Sequence, residues 1–238
     1  MSSPVTVLLL VAVGWVLFAL ACRRIMHNPR GDAFSGIGWH FARQYARWYH
    51  WLRVRGRENI PAAPPIDGRP LIIVSNHTAG VDPILIQSMV PYFVRWVMAA
   101  DMQGQGLEAL WKYLEVILVN RNGQTEVAGM REAMRHLKAG GALGIFPEGR
   151  LQVERGRLHP FLHGLGLLIA RSNAIVLPCV IAGTPKRDTA WASLWVPSRS
   201  RLWIMPVIDY PALGVKPGDI AADLQARYER WVAQIESA

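Results

Sequence analysis

Histidine becomes a useful base when one ring nitrogen is held by a carboxylate, which fixes the tautomer and stabilises the imidazolium formed on protonation. The run Ser75-Asn76-His77-Thr78-Ala79-Gly80-Val81-Asp82-Pro83 offers such a pair five residues apart. Thr78 and Gly80 let the loop fold tightly, which would bring Asp82 to the imidazole nitrogen facing away from a substrate. The pair would be a base without its own nucleophile, able to take a proton from a substrate hydroxyl or, in a hydrolase, from water. Read one residue at a time, Asp82 is an N-cap for a helix starting at Pro83 and His77 an ordinary loop histidine.

A second constellation follows in Phe146-Pro147-Glu148-Gly149-Arg150, where a turn puts an acid and backbone N–H groups at the expected edge of His77. Arg150, Arg155 and Arg157 come close behind, and Arg121 stands at the end of another apolar run. Planar guanidinium groups grip two phosphate oxygens at once. Singly each is a solvated surface charge; together at strand ends they favour a phosphate-bearing substrate. Other chemistries lack support. Gly104, Gly106 and Ala109 fit GxGxxA, but Arg121 stands where a dinucleotide site needs an acid. His159 and His163 are separated by Pro160 with no HExxH, so no metal is expected. GxSxG is absent, which argues against a serine hydrolase.

Groups of this kind gather beyond the carboxyl ends of strands. Short apolar runs predict strands at 71–76, 94–99, 115–119, 142–146, 175–181 and 202–207, with helices from 83 and over 106–113, 124–139, 163–172 and 219–236. The expected fold is α/β, a mixed, mostly parallel sheet covered by helices and preceded by an N-terminal membrane-associated helical pair.

Pro4 to Cys22 carries no charge and would reach about 28 Å as a helix, close to a hydrocarbon core. Arg23-Arg24 follow and no Lys or Arg precedes, so an uncleaved anchor is expected with the remainder on the cytoplasmic side of the cell membrane; spanning and dipping both fit. From Arg23 to Arg57 there are eight Arg against Asp32 alone, interleaved with aromatic residues, which predicts an interfacial helix. The expected organisation is therefore 1–57 anchor and interfacial helix, 58–70 linker, and 71–238 α/β domain. The 238 residues carry Lys+Arg 26 against Asp+Glu 17, a net +9, with ten Trp. That balance favours an anionic partner, and the indoles favour membrane lipids over nucleic acid, for which no recognition motif is present. Cys22 and Cys179 alone build no disulfide framework, which fits a reducing environment.

Asn76-His77 through Asp82-Pro83 resembles the NHxxxxD block of the glycerolipid acyltransferases, the lysophosphatidate acyltransferase family, and Phe146 to Gly149 resembles its FPEG block. Arg121 falls where that family has the arginine of its second block, and Val176-Leu177-Pro178 is similar to the fourth. Gly156-Arg157-Leu158 with Pro160-Phe161 and Gly164 extends the likeness, which covers 71–183. Departures are Arg150 directly after Gly149, His163 in place of a lysine, and Ala99-Ala100-Asp101 where a lysine is usual. The resemblance implies acyl transfer from acyl-CoA or acyl carrier protein to a lysolipid hydroxyl, lysophosphatidate giving phosphatidate, with no metal or cofactor. A lyso-aminolipid or another lysophospholipid would be acylated by the same chemistry. It also implies His77 as base and Asp82 as its orienter. Asn76, Arg121, Glu148, Gly149, Arg150, Arg157 and Pro178 would line the substrate site. A non-catalytic lipid-binding membrane protein would share the anchor and charge but has no use for His77, Asp82 and Glu148 converging.

Overall fold

The computed structural model describes residues 3–104, 106–119, 124–152, 157–186 and 189–237. Seven strands form one sheet in the order β1-β7-β6-β2-β5-β3-β4. They are β1 (Arg53–Arg55), β2 (Leu71–Ser75), β3 (Val94–Ala99), β4 (Ile117–Val119), β5 (Ala142–Ile145), β6 (Ile175–Ala182) and β7 (Arg201–Ile204). Strands β2 to β6 run parallel, while β7 pairs antiparallel with β6 and parallel with β1. All five residues of β2 are buried, as a strand covered on both faces requires.

Two apolar layers cover the sheet. One packs α5 (Gln124–Lys138), α6 (Gly164–Ser172) and α8 (Ile220–Glu236) through Leu137, Leu168, Ile169, Leu224 and Tyr228. The other packs α3 (Asp82–Gln87) and the chain around Ala46 through Leu85, Ile86 and Val90. Tyr228, fully buried, donates its hydroxyl to Val74 O at 2.7 Å and accepts from Cys179 N at 3.1 Å. One residue before Cys179 stands Pro178, which lacks an N–H for the ladder. The phenol thus bridges β2 and β6 just before β2 gives way to Asn76 and His77.

The N-terminus is a helical pair, α1 (Pro4–Met26) and α2 (Ala33–Gln44). Over α1 the mean hydropathy reaches 2.7 and no residue is buried, so the helix is long and apolar enough to cross a membrane. Asn28 turns the chain, with Nδ2 donating to Ile25 O and Oδ1 accepting from Arg30 N and Gly31 N. Asp32 caps α2 through Ser35 N at 2.8 Å. On α2, Phe34, Ile37 and Phe41 follow helical spacing yet stay largely exposed, Phe34 with one edge against Tyr113.

Helix does not continue to Arg57: five residues of π-helix, Tyr45–Tyr49, follow α2, and residues 53–55 then enter the sheet as β1. What redirects the chain is bonding to a distant loop: Tyr45 and Tyr49 donate their hydroxyls to Leu194 O and Trp195 O, and Arg53 N donates to Ser200 O. At this junction His50 is fully buried, with Nδ1 bonded to Ser198 Oγ at 2.7 Å and Nε2 without a partner. Burial pushes its imidazole down to about 4. An unfolded histidine, near 6.5, takes a proton first on acidification, so this contribution to stability is complete above about pH 6.5 and falls as pH drops toward 4. His50→Asn, which cannot titrate, is expected to flatten the pH dependence of the melting temperature in that window; an unchanged acid slope would assign it to other groups.

Candidate active site

His77 leaves the buried end of β2 and Asp82 opens α3, and the loop between them closes the pair. Nδ1 of His77 lies 3.1 Å from Asp82 Oδ2. A carboxylate only accepts, so Nδ1 is the donor and Nε2 carries the lone pair. The same Oδ2 accepts from Thr78 N at 2.7 Å and Ala79 N at 2.8 Å. Thr78 Oγ1 reaches Asp82 Oδ1 at 3.3 Å and is tied to Thr184 Oγ1 at 2.6 Å. Asp82 is fully buried, whereas the His77 side chain keeps 19% of its surface. The expectation that Asp82 caps the following helix is therefore corrected: Asp82 is the first residue of α3, makes no capping bond, and turns back toward His77.

The loop survives only because Gly80 has no side chain, since a Cβ there would sit 2.4 Å from Ala190 O. Segment 190–195 thus presses on the dyad loop from one side while Leu194 and Trp195 hold Tyr45 and Tyr49 on the other.

Glu148 reaches the same edge as His77. Its Oε1 accepts from His77 N at 2.9 Å and Gln152 Nε2 at 3.0 Å, and Oε2 accepts from His159 N at 2.8 Å. Gln152 N donates to His77 O at 2.8 Å, closing a ring of bonds around the histidine backbone. Burial raises the Glu148 carboxyl above the usual range, against the N–H groups that favour its charge. Held by three protein donors and buried, this carboxylate braces the loop that carries His77. Glu148→Gln replaces one acceptor by a donor and strands a buried N–H, which should cost about 1–3 kcal/mol. A lowered melting temperature checks this; an unchanged one would show that the carboxylate is not holding the loop.

Asn76 directly follows β2. It is buried, and its amide donates to Ile181 O and accepts from Ile181 N, joining the ends of β2 and β6. Pro178 is buried within β6, paired with Val74, below the strand exit. Gly149, at φ 66°, and Arg150 are exposed at the turn, and Arg157 is exposed beside Leu158 and α8. Arg121, Arg155 and Gly156 lie outside the described residues. Gln152 carries no signal in the sequence, Thr78 reads there only as a residue that lets the loop fold tightly, and Phe146 only as part of its motif. Among the described residues no three His, Cys, Asp or Glu side chains converge as metal ligands.

The arrangement can do one thing well. An imidazole oriented in this way can take a proton through Nε2 and return it, at the carboxyl edge of a sheet and beside a helix pair with an exposed apolar stripe.

The sequence model of the family described as Acyltransferase matches residues 52–182, more than half of the chain, and the chain belongs to that family. The match begins beside β1, in agreement with its place in the sheet. N-acylphosphatidylethanolamine synthase of Arabidopsis thaliana is 32% identical over 136 residues, 52% of this chain and 47% of that protein. The chloroplastic 1-acyl-sn-glycerol-3-phosphate acyltransferase BAT2 of Brassica napus is 27% identical over 56% of this chain and 38% of its own length. The chain thus spans half or less of the length of these curated relatives. The crystal structure of the 1-acyl-sn-glycerophosphate (LPA) acyltransferase PlsC from Thermotoga maritima superposes with a TM-score of 0.68 at 22% identity, covering 95% of this chain and 89% of that one. The fold is accordingly that of PlsC, with its mostly parallel sheet and helices.

Proposed function

We propose that this protein is a membrane-bound O-acyltransferase that moves a fatty acyl group from an acyl-CoA or acyl carrier protein thioester to the free hydroxyl of a lysolipid, with lysophosphatidate the first acceptor. The observation that carries the reading is the imidazole of His77 held at Nδ1 by the buried carboxylate of Asp82. His77 Nε2 takes the hydroxyl proton as the oxygen attacks the thioester carbonyl. When the tetrahedral intermediate collapses, the C–S bond breaks and the imidazolium gives its proton to the departing sulfur. Asp82 stabilises the transient imidazolium. A thioester is already activated, so no metal or cofactor enters the scheme.

Arg121, Arg150 and Arg157 are assigned to the anionic head of the acceptor, with Gly149 in the turn next to Arg150. Glu148 and Asn76 act on the loop that carries His77, and Pro178 shapes the strand beneath. The apolar α1, followed by Arg23-Arg24, and the exposed stripe of Phe34, Ile37 and Phe41 support a seat on the cytoplasmic face of the cell membrane. The N-acylphosphatidylethanolamine synthase among the relatives gives a second acceptor class, an amine, and the alternative lysolipids differ in headgroup alone.

Mass spectrometry after incubating the detergent-solubilised protein with acyl-CoA, acyl carrier protein thioester and a mixture of acceptors separates these. Lysophosphatidate, a lyso-aminolipid, lysophosphatidylcholine and phosphatidylethanolamine make up the mixture. Phosphatidate is the expected main product. A dominant N-acylated product would replace the hydroxyl acceptor by an amine, and no product from any pair would leave a lipid-binding protein without turnover.

A further inference from the structure

Beneath His77 lies a column of rings that no motif marks. The imidazole stacks on Phe146 with centroids 3.9 Å apart and planes at 15°, and Phe146 stacks on Trp96 at 5.1 Å and 18°. Phe146 follows β5, Trp96 belongs to β3, and the two strands are neighbours with Trp96 paired to Gly144. A Cβ at 144 would come within 2.4 Å of Trp96 Cε3. The indole therefore lies over a bare stretch of backbone and reaches Phe146 only because residue 144 is glycine. Its Nε1 is buried without a partner, a cost that the packing of the ring must offset.

Asp82 holds His77 at a single point, Nδ1, and a ring held at one edge can still tilt. Phe146 backs one face of the imidazole and removes that freedom, and a phenyl face also attracts the cation formed when the proton is taken. Phe146 in turn is backed by Trp96. We propose that Trp96 is a positioning residue for the transfer, holding the His77 ring, through Phe146, in the orientation that Asp82 begins. The proposal rests on the reading of His77 as the base.

The test compares turnover of full-length protein in detergent for Trp96→Leu, Trp96→Phe, Phe146→Leu and the Trp96→Leu/Phe146→Leu double variant, beside His77→Ala. Trp96→Leu should lower kcat about 10-fold with KM for both substrates within about twofold, less than the ~10²-fold that a 1 Å misplacement can cost. Trp96→Phe should recover most of the loss. Because Trp96 acts through Phe146, the double variant should be no slower than Phe146→Leu alone. Histidine-selective NMR gives a readout free of turnover: the ring protons of His77, shielded by Phe146, should move downfield in Trp96→Leu and stay near the wild-type position in Trp96→Phe. Where Trp96→Leu lacks a cooperative melt, Trp96→Met serves in its place. Unchanged kcat, equal losses in the leucine and phenylalanine variants, additive losses in the double variant, or unmoved ring protons would each overturn the proposal. Full turnover in His77→Ala would instead sink the reading of the base, whereas turnover lost there and kept in Trp96→Leu sinks only the role of Trp96.

Discussion

His77→Ala should lower kcat by roughly 10²- to 10⁴-fold, the range for a lost general base, with the melting temperature close to that of the parent. The expectation of a preserved fold is physical. The backbone of His77, not its ring, makes the bonds to Glu148 and Gln152, and both survive the substitution. The ring contributes one hydrogen bond to Asp82, whose oxygen keeps Thr78 N and Ala79 N, and a stack on Phe146 that an alanine loses at the partly exposed edge of the site. Steady-state turnover with saturating thioester checks the first expectation and a circular dichroism melt the second. Full turnover with an intact melt would make His77 a loop histidine.

Asp82 separates its two duties by substitution. Asparagine can keep one oxygen on Thr78 N and Ala79 N but carries no charge to balance an imidazolium, so Asp82→Asn should lose about 10²- to 10⁴-fold in kcat with a modest change in melting temperature. Alanine leaves two backbone N–H groups without an acceptor, at about 1–3 kcal/mol for each buried one, so Asp82→Ala should lose turnover and stability together. An asparagine variant that melts early and turns over normally would reduce Asp82 to a structural residue.

The sheet was largely legible because buried parallel strands write themselves as unbroken apolar runs such as Leu71 to Val74 and Ile175 to Leu177. The dyad was legible because its two members sit five residues apart in one loop. What the sequence hid depends on distant partners. β1 reads as charged alternation, Arg53-Val54-Arg55, and becomes a strand only through β7 about 150 residues on. Asp82 stands where helix caps stand, and nothing local shows that two N–H groups behind it would claim its carboxylate. Glu148 reads as an acid offered to substrate, and nothing local shows that His159 N and Gln152 Nε2 also bond it. The tryptophan of the ring column has no signal at all in one dimension, because Trp96 and Phe146 meet only across two neighbouring strands.

The central claim is that the Asp82-held imidazole of His77 draws a proton from a lysolipid alcohol that attacks a thioester. The most direct measurement is thiol release from an acyl thioester by the purified full-length protein, followed with and without lysolipid. Release that requires the lysolipid, matches the new ester mole for mole and disappears in His77→Ala is the predicted result. Release at the same rate without any acceptor, or undiminished in His77→Ala, would contradict it.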